Sequence, residues 1–336
     1  MPPLRCLFLL LAGFALTATA TQAAEPVDTP ACRVVIVGGQ PGSVVLARRF
    51  ADWTTRFRVW CVDKAGVPAA NITLMSAADK TPASADAVLK AIAEAADHTA
   101  PADQFVLFLV GHGDTVDGEA ALALPGRNLR VSELRAMLAR VPARRQVILH
   151  FGAASGDAIA ALAASNRVVV AATAPGEISD PVFAEFFLLA LEREPAAHAG
   201  SLLDVYNGAA LETARWIRRL SQTESGAWHV DGKQSIAIFH KLCDGPADVP
   251  GARALDSSSQ PLETEPELPL VSPSDPAAAA KLNIPARIRI VDEHATLADT
   301  GRDTGVAGLG EKEFAAVTGS KEGEPGFLAA HTVLGR

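Results

Sequence analysis

"DQFVLFLVGHGD" (residues 103–114) decides the fold. Phe105 to Gly111 is the strongest strand of the chain, a continuous apolar run that ends on a titratable ring, His112, set between Gly111 and Gly113. Upstream, "CRVVIVG" (32–38) is a second such run, and "NITLM" (71–75) a shorter one. Downstream, "QVILHF" (146–151), "RVVVAAT" (167–173) and "QSIAIFHKL" (234–242) complete the set of expected strands. The stretches between them carry helical spacing. Leu46, Phe50, Trp53, Phe57 and Trp60 recur in steps of three and four, and Ser84 opens a helix with Val88, Leu89, Ile92 and Ala96 on one side. Ser132 opens another with Leu134, Met137 and Leu138. Further helices are expected up to about 164, over 181–193 and over 201–220. Apolar strands alternating with amphipathic helices predict an α/β fold, a mostly parallel sheet covered by helices on both faces. Such sheets carry their chemistry on the loops at the carboxyl ends of the strands.

The 336 residues are 49% hydrophobic and 20% charged, which fits a globular protein and excludes collagen, a coiled coil and a polytopic membrane protein. With 30 Lys+Arg against 38 Asp+Glu the net charge is -8, so there is no basic excess to neutralise phosphates and nucleic acid is not expected as a partner. Residues 1–24, "MPPLRCLFLLLAGFALTATATQAA", combine Arg5, the apolar run Leu7 to Leu16 and small residues at Ala18, Ala20 and Ala23. This is the pattern of a cleaved secretory signal, with an apolar core shorter than the roughly 18 residues of a membrane span. The mature chain is expected in the periplasm or outside the cell, with no integral membrane segment. Residues 30–245 form the expected domain. Residues 246–336 are Pro/Ser/Glu-rich and then Gly-rich, with one short strand candidate at Arg287 to Val291, and are expected to be a largely disordered tail.

The turn after the first strand, "VVIVGGQPGSVVLARRF", imitates a dinucleotide fingerprint, with Asp63 some way downstream. Its glycines, Gly38, Gly39 and Gly42, never give the G-x-G-x-x-G spacing that lets backbone close on a pyrophosphate, and no Gly-Lys-Ser/Thr follows. No cofactor is expected. The three cysteines beyond the signal, Cys32, Cys61 and Cys243, contain no C-x-x-C pair.

Four groups of segments together carry a resemblance: "FADW" (50–53) with "GVPAANITLM" (66–75), "DQFVLFLVGHGD" (103–114), "LPGRNLRVSELRAMLARVPARRQVIL" (124–149) and "ASGDAIAALAASNRVVVAAT" (154–173). In order and spacing they resemble the caspase–hemoglobinase fold, and most of all its bacterial legumain-like peptidases, over about residues 33 to 242. The resemblance implies a cysteine endopeptidase with a His/Cys dyad. Its His-Gly pair is matched by His112-Gly113, and its Cys-x-Ser-Gly by a segment in which Ser155-Gly156 aligns and Ala153 takes the nucleophile's place. Gly152 and Ala154 offer no thiol either. A methyl group cannot attack a carbonyl, so the resemblance implies a catalytically vacant domain, a pseudopeptidase that binds a peptide or protein partner in its cleft.

Within this frame, a strand followed by its antiparallel helix brings Cys32 and Cys61 together at the end of the sheet opposite the site, and a disulfide between them is expected. Cys243, after the last strand, is read as free and structural. Ser155 is chiefly an expected helix N-cap, with an alternative as nucleophile to His112 in an active hydrolase. His150 is read chiefly as a hydrogen-bonded core histidine, with a place in the same cleft as the alternative. Asp114, Asp117 and Glu119 read as a solvated acidic loop rather than metal ligands, and "EREPAAHAG" (192–200) lacks the carboxylates of a calcium loop. A further alternative assigns partner binding to the acidic tail.

Overall fold

The computed structural model describes residues 30–41, 44–77, 82–177, 182–193, 200–223, 295–298 and 326–335. A six-stranded sheet runs through the centre. Its strands are β1 (Cys32–Gly38), β2 (Ile72–Ser76), β3 (Gln104–Gly111), β7 (Arg145–Gly152), β8 (Arg167–Ala171) and β9 (Thr296–Ala298), in the spatial order β2-β1-β3-β7-β8-β9. All pairs are parallel except β8 with β9. A second sheet of three antiparallel strands, β4 (Gly113–Val116), β5 (Glu119–Leu122) and β6 (Leu129–Arg130), interrupts the chain directly after β3. The helices are α1 (Val44–Asp63), α2 (Ala85–Asp97), α3 (Val131–Leu138), α4 (Ile159–Leu162), α5 (Phe183–Arg193), α6 (Leu202–Thr223) and α7 (Phe327–Ala330).

The period-two alternation of the strands divides their side chains between two cores. On one face Val34, Ile36, Val106, Phe108, Leu149 and Phe151 pack under α1, α5 and α6. Phe57, Phe108, Phe151 and Phe187 form a ladder of rings at 4.4, 5.4 and 5.1 Å along this face. On the other face Val35, Val37, Leu107, Leu109, Ile148 and Val169 pack under α2, α3 and α4. Both faces are buried, which is why the strands read as unbroken apolar runs. Fully buried Glu185 of α5 accepts from Trp53 Nε1 at 2.6 Å and from Arg56 at 2.8 Å, so its charge is paired where α1 crosses α5.

The amino-terminal floor of the sheet is held by polar side chains. Gln104 Nε2 donates to the carbonyl of Val333 at 2.9 Å, and Gln104 Oε1 accepts from Gly335 N at 2.7 Å. Gln146 Nε2 donates to the carbonyls of Leu138 and Val141, ending α3, while its Oε1 accepts from buried Arg167 at 3.0 Å.

Several expectations need correction. Within the stretch 246–336, β9 and residues 326–335 pack onto the domain. Ala295, Leu297, Ala298, Ala329 and Leu334 are buried in its cores, because the sheet edge and floor supply apolar partners that a composition count over the region averages away. Cys32 and Cys61 are both free, buried thiols rather than a disulfide. The Cys32 thiol donates instead to Gln104 Oε1 at 3.6 Å, and both sulfurs sit in the apolar core. Ser132 is the second residue of α3, whose N-cap is Arg130, whereas Ser84 does cap α2 by accepting from Ala87 N at 3.2 Å. The segment read as an acidic loop is the β4–β5 hairpin. The expected signal, the strand over 234–242, Cys243 and the strand at 287–291 lie outside the described residues. Among the described residues no helix is long and apolar enough to cross a membrane.

Candidate functional site

The order of the strands reverses between β1 and β3, since the chain leaves β1 toward β2 and returns on its other side. A crevice at the carboxyl ends of such a pair is where an open α/β sheet binds ligands. The loops that meet there are 39–41 after β1, His112 after β3, the turn at 153–156 after β7 and 172–177 after β8.

His112 is half-buried. Its ring stands edge-on to Phe50 of α1, with centroids 6.0 Å apart, and its Nε2 lies 2.8 Å from the carbonyl oxygen of Pro41. A carbonyl only accepts, so Nε2 is protonated and donates to Pro41, which leaves Nδ1 as the ring nitrogen outside this bond. Backbone bonds secure the same corner: Gly39 N donates to Val110 O at 2.7 Å, Gln40 N to Ala123 O at 2.9 Å and Ala123 N to His112 O at 2.9 Å.

Gly113 lies against the turn that follows β7. A Cβ at position 113 would stand 2.6 Å from Ala154 N and 3.3 Å from Ala153 N. Only glycine lets the two backbones approach so closely. The structure thus brings the backbone of His112-Gly113 and that of Ala153-Ala154 side by side. Ala153 and Ala154 are buried.

Ser155 is also buried but turned to other work. Its Oγ accepts from Ala172 N at 3.0 Å and lies 3.4 Å from Thr173 Oγ1. The short 3-10 helix over Ser155–Ala158 has Ala154 as its N-cap, without a side-chain cap, so Ser155 is not the cap expected of it. The hydrogen bonds of Ser155 go to the segment just after β8 and those of the His112 ring to Pro41, and the two side chains are not bonded to one another.

His150 lies within β7, opposite Leu109 and Ala171. Burial drives its pKa down to about 4, so the ring is neutral at pH 7, and its Nδ1 accepts from Gly152 N at 3.3 Å. It is a core residue beneath the site. In the hairpin, Asp117 pairs with Arg130 at 2.6 Å. Glu119 accepts from Ser132 N, and the hydrogen bonds from Ser132 hold its carboxyl below the usual range. These carboxylates are committed to their own loop, and among the described residues no group of three His, Cys, Asp or Glu is placed to hold a metal ion. Pro41 and Thr173 were not legible as site residues: one contributes only a main-chain carbonyl, and the other sits at the end of an apolar strand.

No family model matches the chain, and no curated protein matches it. Among solved structures it is similar to the Geobacter sulfurreducens protein GSU0716, at 14% identity and a TM-score of 0.40 over 54% of this chain and 88% of that one. It is also similar to the Drosophila initiator caspase Dronc, at 13% identity and a TM-score of 0.36 over 54% of this chain and 70% of that one. These likenesses concern the fold alone.

Proposed function

We propose that the domain is a catalytically vacant caspase- or legumain-like module that binds a peptide or protein segment at the carboxyl end of its sheet. The observation that carries this reading is the contact of Gly113 with the backbone of the Ala153-Ala154 turn beside an oriented histidine, a turn whose residues carry only methyl groups and so offer no nucleophile. The backbone amide of Gly113 remains to donate to a carbonyl or carboxylate of the bound segment, and Nδ1 of His112, the ring nitrogen not bonded to Pro41, to bond a polar group of that segment. Residues 1–24 support export, so we assign the mature chain to the periplasm or the exterior. N-terminal sequencing of the protein from its host tests that assignment: a chain still beginning at Met1 rejects it.

The functional test uses residues 25–336 and a His112→Ala variant against a diverse fluorogenic peptide library, in cleavage and in binding formats. The expected result is no cleavage above the variant, together with peptide binding that the variant weakens about tenfold, the effect of one lost hydrogen bond. Cleavage that disappears in the variant overturns the vacant-site reading. Binding unaffected by His112→Ala but lost on deleting residues 246–294 moves recognition to the acidic segment.

A further inference from the structure

The turn at 153–156 is gripped from two sides. Gly113 presses on Ala154 from the β3 side. From the β8 side a Cβ on Gly156 would overlap the carbonyl group of Ala174 and stand 2.5 Å from the carbonyl oxygen of Thr173. Thr173 is completely buried and bonds in three directions. Its Oγ1 accepts from Gly156 N at 2.9 Å and lies 3.4 Å from Ser155 Oγ, while its carbonyl accepts from Thr296 Oγ1 of β9 at 2.9 Å. β9 is itself anchored, with Thr296 opposite Ala171 and the carbonyl of Ala295 taking the hydroxyl of buried Tyr206 at 2.8 Å.

We propose that Thr173 is the positioning residue of the candidate site: it holds the 153–156 turn against His112-Gly113 and makes that placement depend on the seating of β9, a strand drawn from the far end of the sequence. This rests on the proposed location of the site, but not on what binds there. Without Oγ1 the buried amide of Gly156 is unsatisfied, and the turn is expected to shift to find a partner. Without the Thr296 hydroxyl the Thr173 carbonyl loses the bond that ties its strand end to β9.

A thiol placed at position 153 reports on the turn without any peptide ligand. In an Ala153→Cys background, the rate at which methyl methanethiosulfonate modifies the introduced thiol is followed against pH by peptide mass analysis, with thermal melts to confirm that each variant is folded. Thr173→Val is expected to change the rate about tenfold and to displace its pH profile, because the turn that carries the thiol no longer holds its place against His112-Gly113. Thr173→Ser is expected to restore the parent profile. Thr296→Val, which leaves every side chain of the site intact and serves if Thr173→Val fails to fold, is expected to move the rate in the same direction by less. Equal rates and profiles across all folded variants overturn the role of Thr173 and leave the site reading standing. An introduced thiol that reacts only after denaturation removes both, since the turn then faces no accessible cleft. Displaced profiles with no peptide binding sustain the positioning role and remove the peptide-binding reading alone.

Discussion

The two ends of the sheet are fastened by opposite means. At the amino-terminal floor, buried side chains join the elements: Gln104 ties β3 to the segment 326–335, Gln146 closes α3, and Arg167 reaches Gln146 from β8. At the carboxyl end, side chains have been removed so that backbone can touch backbone: Gly113 meets Ala154, and Gly156 meets Thr173 and Ala174. A side-chain bond can be lost for the free energy of one or two hydrogen bonds, with the chain path intact. A backbone contact at van der Waals limit has no such margin, because any added atom must displace main chain. The turn at Gly156 is thus a place with little room for growth, whereas at the floor the tight approach, that of Gly335, is to the methyl of Ala65 before any backbone atom.

The largest expected effect follows from this contrast. Gly156→Ala places a Cβ about where the carbonyl of Ala174 already stands, and we expect a loss of about 3 kcal/mol or more in urea denaturation. A variant within about 0.5 kcal/mol of the parent would break the comparison, since it would mean that the 153–156 turn is free to move off β8.

The next concerns pH. His150 is buried with its pKa lowered to about 4, against 6.5 in the unfolded chain. Between those values the unfolded state binds more protons than the folded one, so stability is complete above about pH 6.5 and falls as the pH drops toward 4. The full loss corresponds to about 3 kcal/mol by linkage. Melting temperatures at pH 7 and pH 4.5 measure it, and His150→Gln should flatten that part of the profile. A histidine open to the cleft would show no such slope.

Gln104→Ala tests the other end. It removes the partners of Val333 O, Gly335 N and the Cys32 thiol at once, for an expected cost of about 1–2 kcal/mol. Faster amide exchange should be confined to Gly335 and its neighbours, with the site turn unaffected. Exchange that rises equally at Gly156 would show that the two ends are not independent.

What the sequence discloses follows the same division. The parallel strands were legible because burial on both faces makes them unbroken apolar runs, and β3 with His112 was legible because a ring between two glycines interrupts such a run. That His112-Gly113 and Ala153 belong to one site was implied by the family resemblance, through the alignment of Ser155-Gly156, and not by the strand pattern, which leaves the order of the strands open. The hairpin β4–β5 was not legible, because "GDTVDGEAAL" is short, acidic and only partly apolar, and its pairing depends on the ladder Gly113 to Leu122 rather than on its own periodicity. β9 escaped for a related reason: three residues, Thr296 to Ala298, carry too little pattern, and their burial is supplied by β8 and α6. The roles of Pro41 and Thr173 are invisible at the level of residue type, since a carbonyl is common to every residue and a threonine at a strand end is ordinary.

The smallest expected effect is an absence of change at the two native thiols near the floor, and it sharpens the comparison most simply. Burial pushes the Cys32 thiol up to about 12 and raises that of Cys61 as well, and Cys32 donates its proton to Gln104. At pH 8 a thiol of that kind is ionised in only roughly one molecule in ten thousand, so neither should react with methyl methanethiosulfonate in the folded protein over the time in which a thiol introduced by Ala153→Cys is consumed. Reaction should begin only with unfolding, and Gln104→Ala, by loosening the segment over Cys32, should hasten it there before it hastens it at Cys61. Recovery of the chain with a Cys32–Cys61 disulfide would contradict this arrangement, because the sulfur of Cys32 would then have left Gln104. The floor would owe part of its fastening to a covalent bond and not to buried amides.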